Sequence, residues 1–216
     1  MANESITKDK LIVCEGKDEI NFLTAFLKNI GSLDGYQVWD ISGVDSLKNK
    51  LKVIKSLPNY DKLNTLLLIL DSDDNFDSRL QSVKDILKSL DLPYPDSAGS
   101  YKTGENIKVG VFLMPGNLEN GMLEDLCLKT VTEHPAMSCL EAYMACLETN
   151  LAKKNLDEPK DPKKYYFPKN VSKAKALAFL AALHEPFNSV GIAALNGYWD
   201  FDHASLDDLK RFLQNS

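Results

Sequence analysis

The stretch Thr65–Asp73, which reads TLLLILDSD, decides the fold class of this chain. Its five consecutive Leu and Ile residues, Leu66–Leu70, predict a strand buried on both faces, as in a parallel sheet covered by helices. The strand is followed at once by Asp71-Ser72-Asp73, so two carboxylates stand at its carboxyl end. This run therefore predicts both the core of the fold and a polar position at one edge of the sheet.

Strand-like and helix-like segments alternate on both sides of this run. Leu11–Cys14, Tyr36–Ile41 and Ile107–Met114 are predicted as strands, and apolar residues at helical spacing predict helices between the strands. Repeated β-α-β crossovers predict an α/β fold with a Rossmann-like parallel sheet of about four strands flanked by helices. The Pro-, Ser- and Gly-rich segment Asp91–Asn106 is predicted to be a loop.

The pattern becomes helical after the fourth predicted strand. A length of 216 residues suits one well-buried core better than two large domains. We therefore predict a catalytic α/β domain over residues 1–135 and a helical extension, residues 136–216, packed on it. The predicted helices of the second half of the chain are Leu118–Thr130, Ala136–Leu151, Ser172–Leu183 and Ser205–Leu213.

The charge is unevenly distributed along the chain. The net charge of −6 is unlike that of a general nucleic-acid binder, which needs Lys and Arg for the phosphates. Residues 151–175, however, carry eight lysines and three acids, which gives +5 there and −11 elsewhere. A basic contact strip beside an acidic face is one interpretation, and a solvated surface loop is the other. The nucleic-acid-binding candidates of this segment are Lys163, Lys164, Tyr166, Lys169 and Lys175, with Tyr166 able to stack on a base.

The four cysteines and the hydropathy pattern indicate a cytoplasmic protein. Cys14, Cys127, Cys139 and Cys146 form no C-x-x-C pair, so we predict small core residues rather than a zinc site or disulfides. The longest apolar run is far too short to span a membrane, and the polar N-terminal residues do not resemble a secretory leader. We expect no membrane association.

Acidic residues follow three of the predicted strands. Glu15 follows the first, Asp71 and Asp73 follow the third, and Glu124 with Asp125 comes after the fourth. In open parallel sheets ligands bind outside the carboxyl ends of the strands, so these acids should lie at one edge. Clustered carboxylates repel one another unless a cation neutralises them, and oxygen ligands suit Mg²⁺ or Mn²⁺, one ion or two. Helix capping is the alternative role of such acids.

Two motifs at matching strand ends resemble the signature of the Toprim family. Cys14–Asp18 (CEGKD) is similar to its Glu-Gly motif, and Ile69–Asp73 (ILDSD) is similar to its Asp-x-Asp motif. Gly121–Asp125 (GMLED) resembles an acidic motif of small stand-alone Toprim proteins and of the overcoming-lysogenization-defect (OLD) nucleases. Gly197–His203 (GYWDFDH) resembles the tail of the stand-alone proteins.

The resemblance implies phosphodiester chemistry and a role for each acid. Asp71 and Asp73 would hold Mg²⁺, and Glu15 would be a ligand or a general acid/base. Glu124 and Asp125 would complete the position of a second metal ion. The two metal ions would stabilise the attacking and the leaving oxygen of the displacement.

Cleavage of a phosphodiester also needs a cation near the developing negative charge. The nearest candidate in sequence is Lys17, and Lys173 is a candidate if the chain folds back; an ordinary surface lysine is the alternative for both.

The favoured function is that of a Mg²⁺-dependent nuclease acting on DNA or RNA. A topoisomerase or primase would need further domains, and the order of the acidic motifs disfavours a receiver domain or a haloacid-dehalogenase phosphatase. The chain has no G-x-x-x-x-G-K-[ST] loop of its own, so we predict either a lone regulated nuclease or a phage-defence effector that works with a partner ATPase. A homo-oligomer is compatible with the sequence. The alternative of a different class is a non-catalytic Toprim-like binding module.

Overall fold

A five-stranded mixed sheet forms the centre of the molecule in a computed structural model. The structure describes residues 5–41, 46–157 and 166–216, without the side chains of 153–157. The strand order is β2-β1-β3-β5-β4, and all neighbours are parallel except the last pair. This architecture confirms the predicted fold class. The strands are β1 (Lys10–Cys14), β2 (Tyr36–Asp40), β3 (Thr65–Asp71), β4 (Ser100–Thr103) and β5 (Lys108–Met114).

Helices cover both faces of the sheet. Alternate strand residues point to opposite faces, so Ile12 packs in one core and Leu11 and Val13 pack in the other. The first core includes residues of α1 and of the helices from α4 onward, and the second includes residues of α2 and α3. The α-helices of the described residues are α1 (Lys17–Asn29), α2 (Leu47–Ser56), α3 (Phe76–Ser89), α4 (Leu123–Lys129), α5 (Ala136–Asp157), α6 (Val171–Ala181), α7 (Val190–Leu195) and α8 (Asp207–Gln214).

Strand β3 is buried on both faces, as its sequence predicts. Every residue of Thr65–Asp71 is buried, and β3 pairs with β1 on one side and with β5 on the other. Asp71 lies opposite Met114 in the register, so β3 and β5 end at the same level. The loops that follow β1, β3 and β5 therefore meet at one edge of the sheet.

The structure corrects two predicted elements and adds a third. The predicted loop Asp91–Asn106 contains the short antiparallel strand β4. The predicted helix Leu118–Thr130 begins only at Leu123. Gly121 forms an antiparallel bridge to Asp73 through two backbone hydrogen bonds of 2.9 Å, and this bridge holds the residues before the helix as a loop. Helix α7 was not predicted.

Helices of the second half of the chain share a core with the sheet and α1. Leu140 of α5 and Phe179 of α6 belong to the same buried cluster as Phe22 of α1 and Leu126 of α4. The boundary at residue 135 stays a prediction. Among the described helices, none is long and apolar enough to cross a membrane.

Two of the four cysteines contradict the expectation that all are core residues. Cys14 and Cys127 are buried, but Cys139 and Cys146 are exposed on α5. The exposure follows from the way α5 packs, because its described part buries only Leu140 and Met144.

Candidate active site

An open depression of about 480 Å³ lies at the carboxyl edge of the sheet. Its walls come from the turn after β1, the loop after β3, the start of α4 and the start of α6. The residues that line it are Glu15, Gly16, Lys17, Asp18, Glu19, Asp71, Asp73, Met122, Glu124, Asn170 and Lys173.

Asp71 stands at the centre of this cluster and is held from two sides. Its backbone N–H donates to Glu15 Oε1 at 3.2 Å, which joins the ends of β1 and β3. Its side-chain Oδ1 accepts from the backbone N–H of Leu123 at 3.0 Å, the first residue of α4. Only 8% of Asp71 is exposed, so its carboxylate has little freedom to turn away.

The neighbouring acids make Asp71 hard to ionise. Burial raises the pKa of Asp71 well above its usual value, and the charges of Glu15, Glu19 and Glu124 raise it further. Burial also raises the pKa of Glu15, an effect that the Arg79 guanidinium opposes. Burial is the largest cause of both shifts, and the charges of neighbouring acids add to it.

Glu19 belongs to the cluster, although the motifs did not single it out. It lies in the first turn of α1, and burial followed by the charges of Glu124 and Asp18 raises its pKa. Its position in the first turn of the helix that directly follows Glu15-Gly16 is a signal that could have found it. A Cβ at Gly16 would lie 3.2 Å from Glu19 Oε2, so the glycine leaves room for this carboxylate.

Asp18 lines the depression but has a structural partner. Its Oδ1 accepts from the Ser189 hydroxyl and, at 3.3 Å, from the backbone N–H of Gly191. These contacts attach the start of α7 to the start of α1. Asp18 therefore positions the α1 end on which Glu19 stands.

The two acids of the Gly121–Asp125 motif separate in the structure. Glu124 is 7% exposed and faces the depression, where its Oε1 lies 3.9 Å from Lys173 Nζ. Burial raises the pKa of Glu124, and Lys173 opposes the shift. Asp125 instead accepts from the backbone N–H of Met122 at 2.9 Å and lines a neighbouring depression, so it caps α4.

Asp73 faces the same depression but forms an ion pair with Arg79. The Arg79 guanidinium donates to Asp73 Oδ2 and lies 3.9 Å from Glu15 Oε1. Arg79 is a second residue that the sequence motifs did not indicate. It contributes a positive charge that two of the predicted metal ligands share.

The predicted basic residues fall into two groups. Lys17 and Lys173 line the depression, and Lys169 lines the neighbouring one with Asp125. Tyr166 is exposed, and Lys175 forms an ion pair with Glu141 of α5 at 2.9 Å. Lys163 and Lys164 lie outside the described residues.

The donor set suits a hard divalent cation in its chemistry, although not in its present arrangement. Carboxylate oxygens are the ligands that Mg²⁺ and Mn²⁺ prefer, and Glu15, Glu19, Asp71 and Glu124 line one depression. In the described ranges, no three His, Cys, Asp or Glu side chains are grouped closely enough to hold a metal ion. The Arg79–Asp73 ion pair turns one carboxylate toward a guanidinium instead. Metal binding would therefore require side-chain rotation.

Residues 9–216 match the family described as "Protein of unknown function (DUF3226)", so the chain belongs to this family. No curated protein matches the chain. The C-terminal region of the Xanthomonas campestris pv. campestris OLD protein is 13% identical over 97% of this chain and 96% of that chain, with a TM-score of 0.48. A hypothetical protein from Pyrococcus horikoshii OT3 is 16% identical over 97% of this chain and 95% of that chain, with a TM-score of 0.47. The description of the family assigns no activity.

Proposed function

We propose that this protein is a Mg²⁺-dependent phosphodiester hydrolase of the Toprim type that cuts DNA or RNA. The observation that carries the proposal is the meeting of Glu15, Glu19, Asp71 and Glu124 at one open depression. These carboxylates come from three separate segments, and burial, followed by the charges of its neighbours, raises the pKa of Asp71. A cluster whose net negative charge is left uncompensated suits a divalent cation.

We assign the carboxylates of the depression to two ions. Glu15, Asp71 and Asp73 would hold one ion, and Glu19 with Glu124 would hold a second. Asp125 is removed from the predicted set because its carboxylate accepts from the backbone at the start of α4. One or two ions, Mg²⁺ or Mn²⁺, are compatible with this set.

A bound divalent ion would supply an activated water and neutralise charge on the scissile phosphate. The chain itself supplies orientation and further positive charge. Asp71 is fixed by the Leu123 N–H, so its second oxygen keeps a constant direction. Lys173 and Lys17 stand at the wall of the depression, where an ammonium group would stabilise negative charge on the phosphate oxygens.

The proposal extends to the setting of the enzyme. We place it in the cytoplasm, either as a lone regulated nuclease or as a defence effector that a partner ATPase regulates, and as a monomer or a homo-oligomer. The acidic net charge supports a regulated enzyme, since the chain has few cations with which to grip nucleic acid unaided. Lys169 and Tyr166 are the described residues that we assign to nucleic-acid contact.

A non-catalytic binding module is the second candidate. The Arg79–Asp73 ion pair favours it, because a permanent guanidinium would take the place of a metal ion. In that case the depression would hold its shape without a metal ion. Binding of Mn²⁺ at micromolar to millimolar concentration would argue against this candidate.

The proposed activity is tested by a nuclease assay with Mg²⁺ or Mn²⁺ on plasmid, single-stranded DNA and RNA. Asp71→Asn and Glu15→Gln should each lower cleavage at least about 100-fold, because both remove charge that the metal needs. Asp208→Asn is the matched control, since this exposed carboxylate pairs with Arg211 on α8. Cleavage that survives both site variants, or no cleavage by the wild type with any substrate, would contradict the proposal.

A further inference from the structure

Arg79 lies against two carboxylates of the acidic cluster, Asp73 and Glu15. It extends from the first turns of α3, and only 13% of its side chain is exposed. Its guanidinium contacts Asp73 directly and Glu15 at 3.9 Å. A desolvated guanidinium between two carboxylates makes strong charge-assisted contacts. The side chain is therefore bound to the site and does not extend into solvent.

Asp73 has a fixed backbone and a movable side chain. Its N–H and C=O both hydrogen-bond with Gly121 at 2.9 Å, which ties the loop after β3 to the loop after β5. Its φ of 51° is left-handed, a conformation that such a tight turn imposes. The side chain is nevertheless 48% exposed. Rotation about the Cα–Cβ bond would redirect the carboxylate without breaking the loop.

We propose that Arg79 is an internal counterion that competes with the divalent cation for Asp73. This inference rests on the proposed metal site but not on the nuclease activity. A guanidinium donating to Asp73 Oδ2 and a divalent cation in contact with the same carboxylate repel each other. Metal binding therefore turns the Asp73 carboxylate away from the Arg79 guanidinium. The metal-free protein keeps the cluster stable through Arg79, at the cost of metal affinity.

The test measures metal binding and metal-free stability of the full chain. Arg79→Gln keeps hydrogen-bonding groups but removes the positive charge. We expect the Mn²⁺ affinity of this variant, measured by isothermal titration calorimetry, to rise about tenfold, because it loses one charge-assisted hydrogen bond to Asp73 that competes with the metal ion. The melting temperature without metal should fall, because Asp73 and Glu15 lose their shared counterion. The Mn²⁺ affinity of Arg79→Lys should lie between those of the wild type and Arg79→Gln, because the lysine ammonium keeps the positive charge but lacks the planar guanidinium group.

Arg211→Gln is the matched control. Arg211 is the other arginine of the chain, and it pairs with the exposed Asp208 on α8. We expect Mn²⁺ affinity to be unchanged in this variant. Affinity that stays equal in Arg79→Gln, or that decreases, would overturn the proposal, because it would show that Arg79 does not oppose the metal.

The outcomes also separate this inference from the proposed function. Tighter Mn²⁺ binding by Arg79→Gln together with no cleavage would uphold the counterion and refute the nuclease. Cleavage and metal binding by the wild type, with the affinity of Arg79→Gln unchanged, would uphold the nuclease and refute the counterion. Absence of Mn²⁺ binding in both the wild type and Arg79→Gln would refute both.

Discussion

Replacing Asp71 by Asn should stabilise the metal-free protein. Asn keeps the oxygen that accepts from the Leu123 N–H and has nearly the same volume, so packing and this hydrogen bond remain. What disappears is one buried negative charge among Glu15, Glu19 and Glu124. A buried charged or polar group without compensation costs about 1–3 kcal/mol, so we expect a gain of about 2 kcal/mol in unfolding free energy at pH 8.

The pH dependence of this gain has a defined sign. The folded pKa of Asp71 lies above the unfolded value near 3.8, so above that value the unfolded chain binds fewer protons than the folded one. The unfolding free energy of the wild type should therefore fall as pH rises from about 4 until the folded pKa is passed. Asp71→Asn lacks this contribution, so its advantage should vanish near pH 4 and grow toward neutral pH.

Thermal unfolding in chelator-treated buffer measures the effect. For a chain of this size, about 2 kcal/mol corresponds to a rise of about 4–8 °C in melting temperature. Saturating Mg²⁺ should reverse the order, because a ligand at 100 times its Kd adds about 2.7 kcal/mol to the wild type alone. Asp208→Asn should change stability by no more than about 0.5 kcal/mol. A metal-free Asp71→Asn protein less stable than the wild type at pH 8 would refute the reasoning.

Three further outcomes are expected. Gly191→Ala should lower the unfolding free energy by about 1–3 kcal/mol in urea denaturation, because its Cβ would lie 2.5 Å from the α1 backbone. Gly35→Ala is the control, because Gly35 has open space around it. Equal stability of the two variants would contradict the close packing of α7 against α1 at Gly191. Lys173→Met should slow cleavage about 100-fold, with Lys175→Met as the control on the same helix, and a rate like that of the wild type would remove this lysine from the mechanism. Glu19→Gln should weaken Mn²⁺ binding about tenfold in calorimetry, and unchanged binding would exclude this carboxylate as a ligand.

The site combines one rigid carboxylate with one movable carboxylate. Asp71 is buried and held by Leu123, whereas the half-exposed Asp73 can turn between Arg79 and the depression. A rigid ligand sets the position of an ion, and a movable ligand sets how readily the ion enters. In the metal site that we propose, conditions that alter the Arg79–Asp73 contact would therefore change metal affinity without rebuilding the sheet.

The sheet could be predicted in outline but not in full. Leu66–Leu70 could only be accommodated in a strand covered on both faces, and the structure buries every residue of β3. Strand β4 has the sequence Ser-Tyr-Lys-Thr, which carries no apolar run and is a strand because its backbone pairs with β5. Pairing of this kind depends on a neighbour distant in sequence, so local propensity does not indicate it.

The amino-acid sequence by itself determined the alternation of strands and helices and the acids that follow β1 and β3, because hydrophobic periodicity and the order of residues are local properties. Tertiary structure alone decided which acids share a depression. It turned Asp125 to the backbone at the start of α4, brought Glu19 into the cluster and placed Arg79 against Asp73. Those outcomes depend on the direction of each side chain and on contacts between separate segments, which the spacing of residues along a chain does not encode.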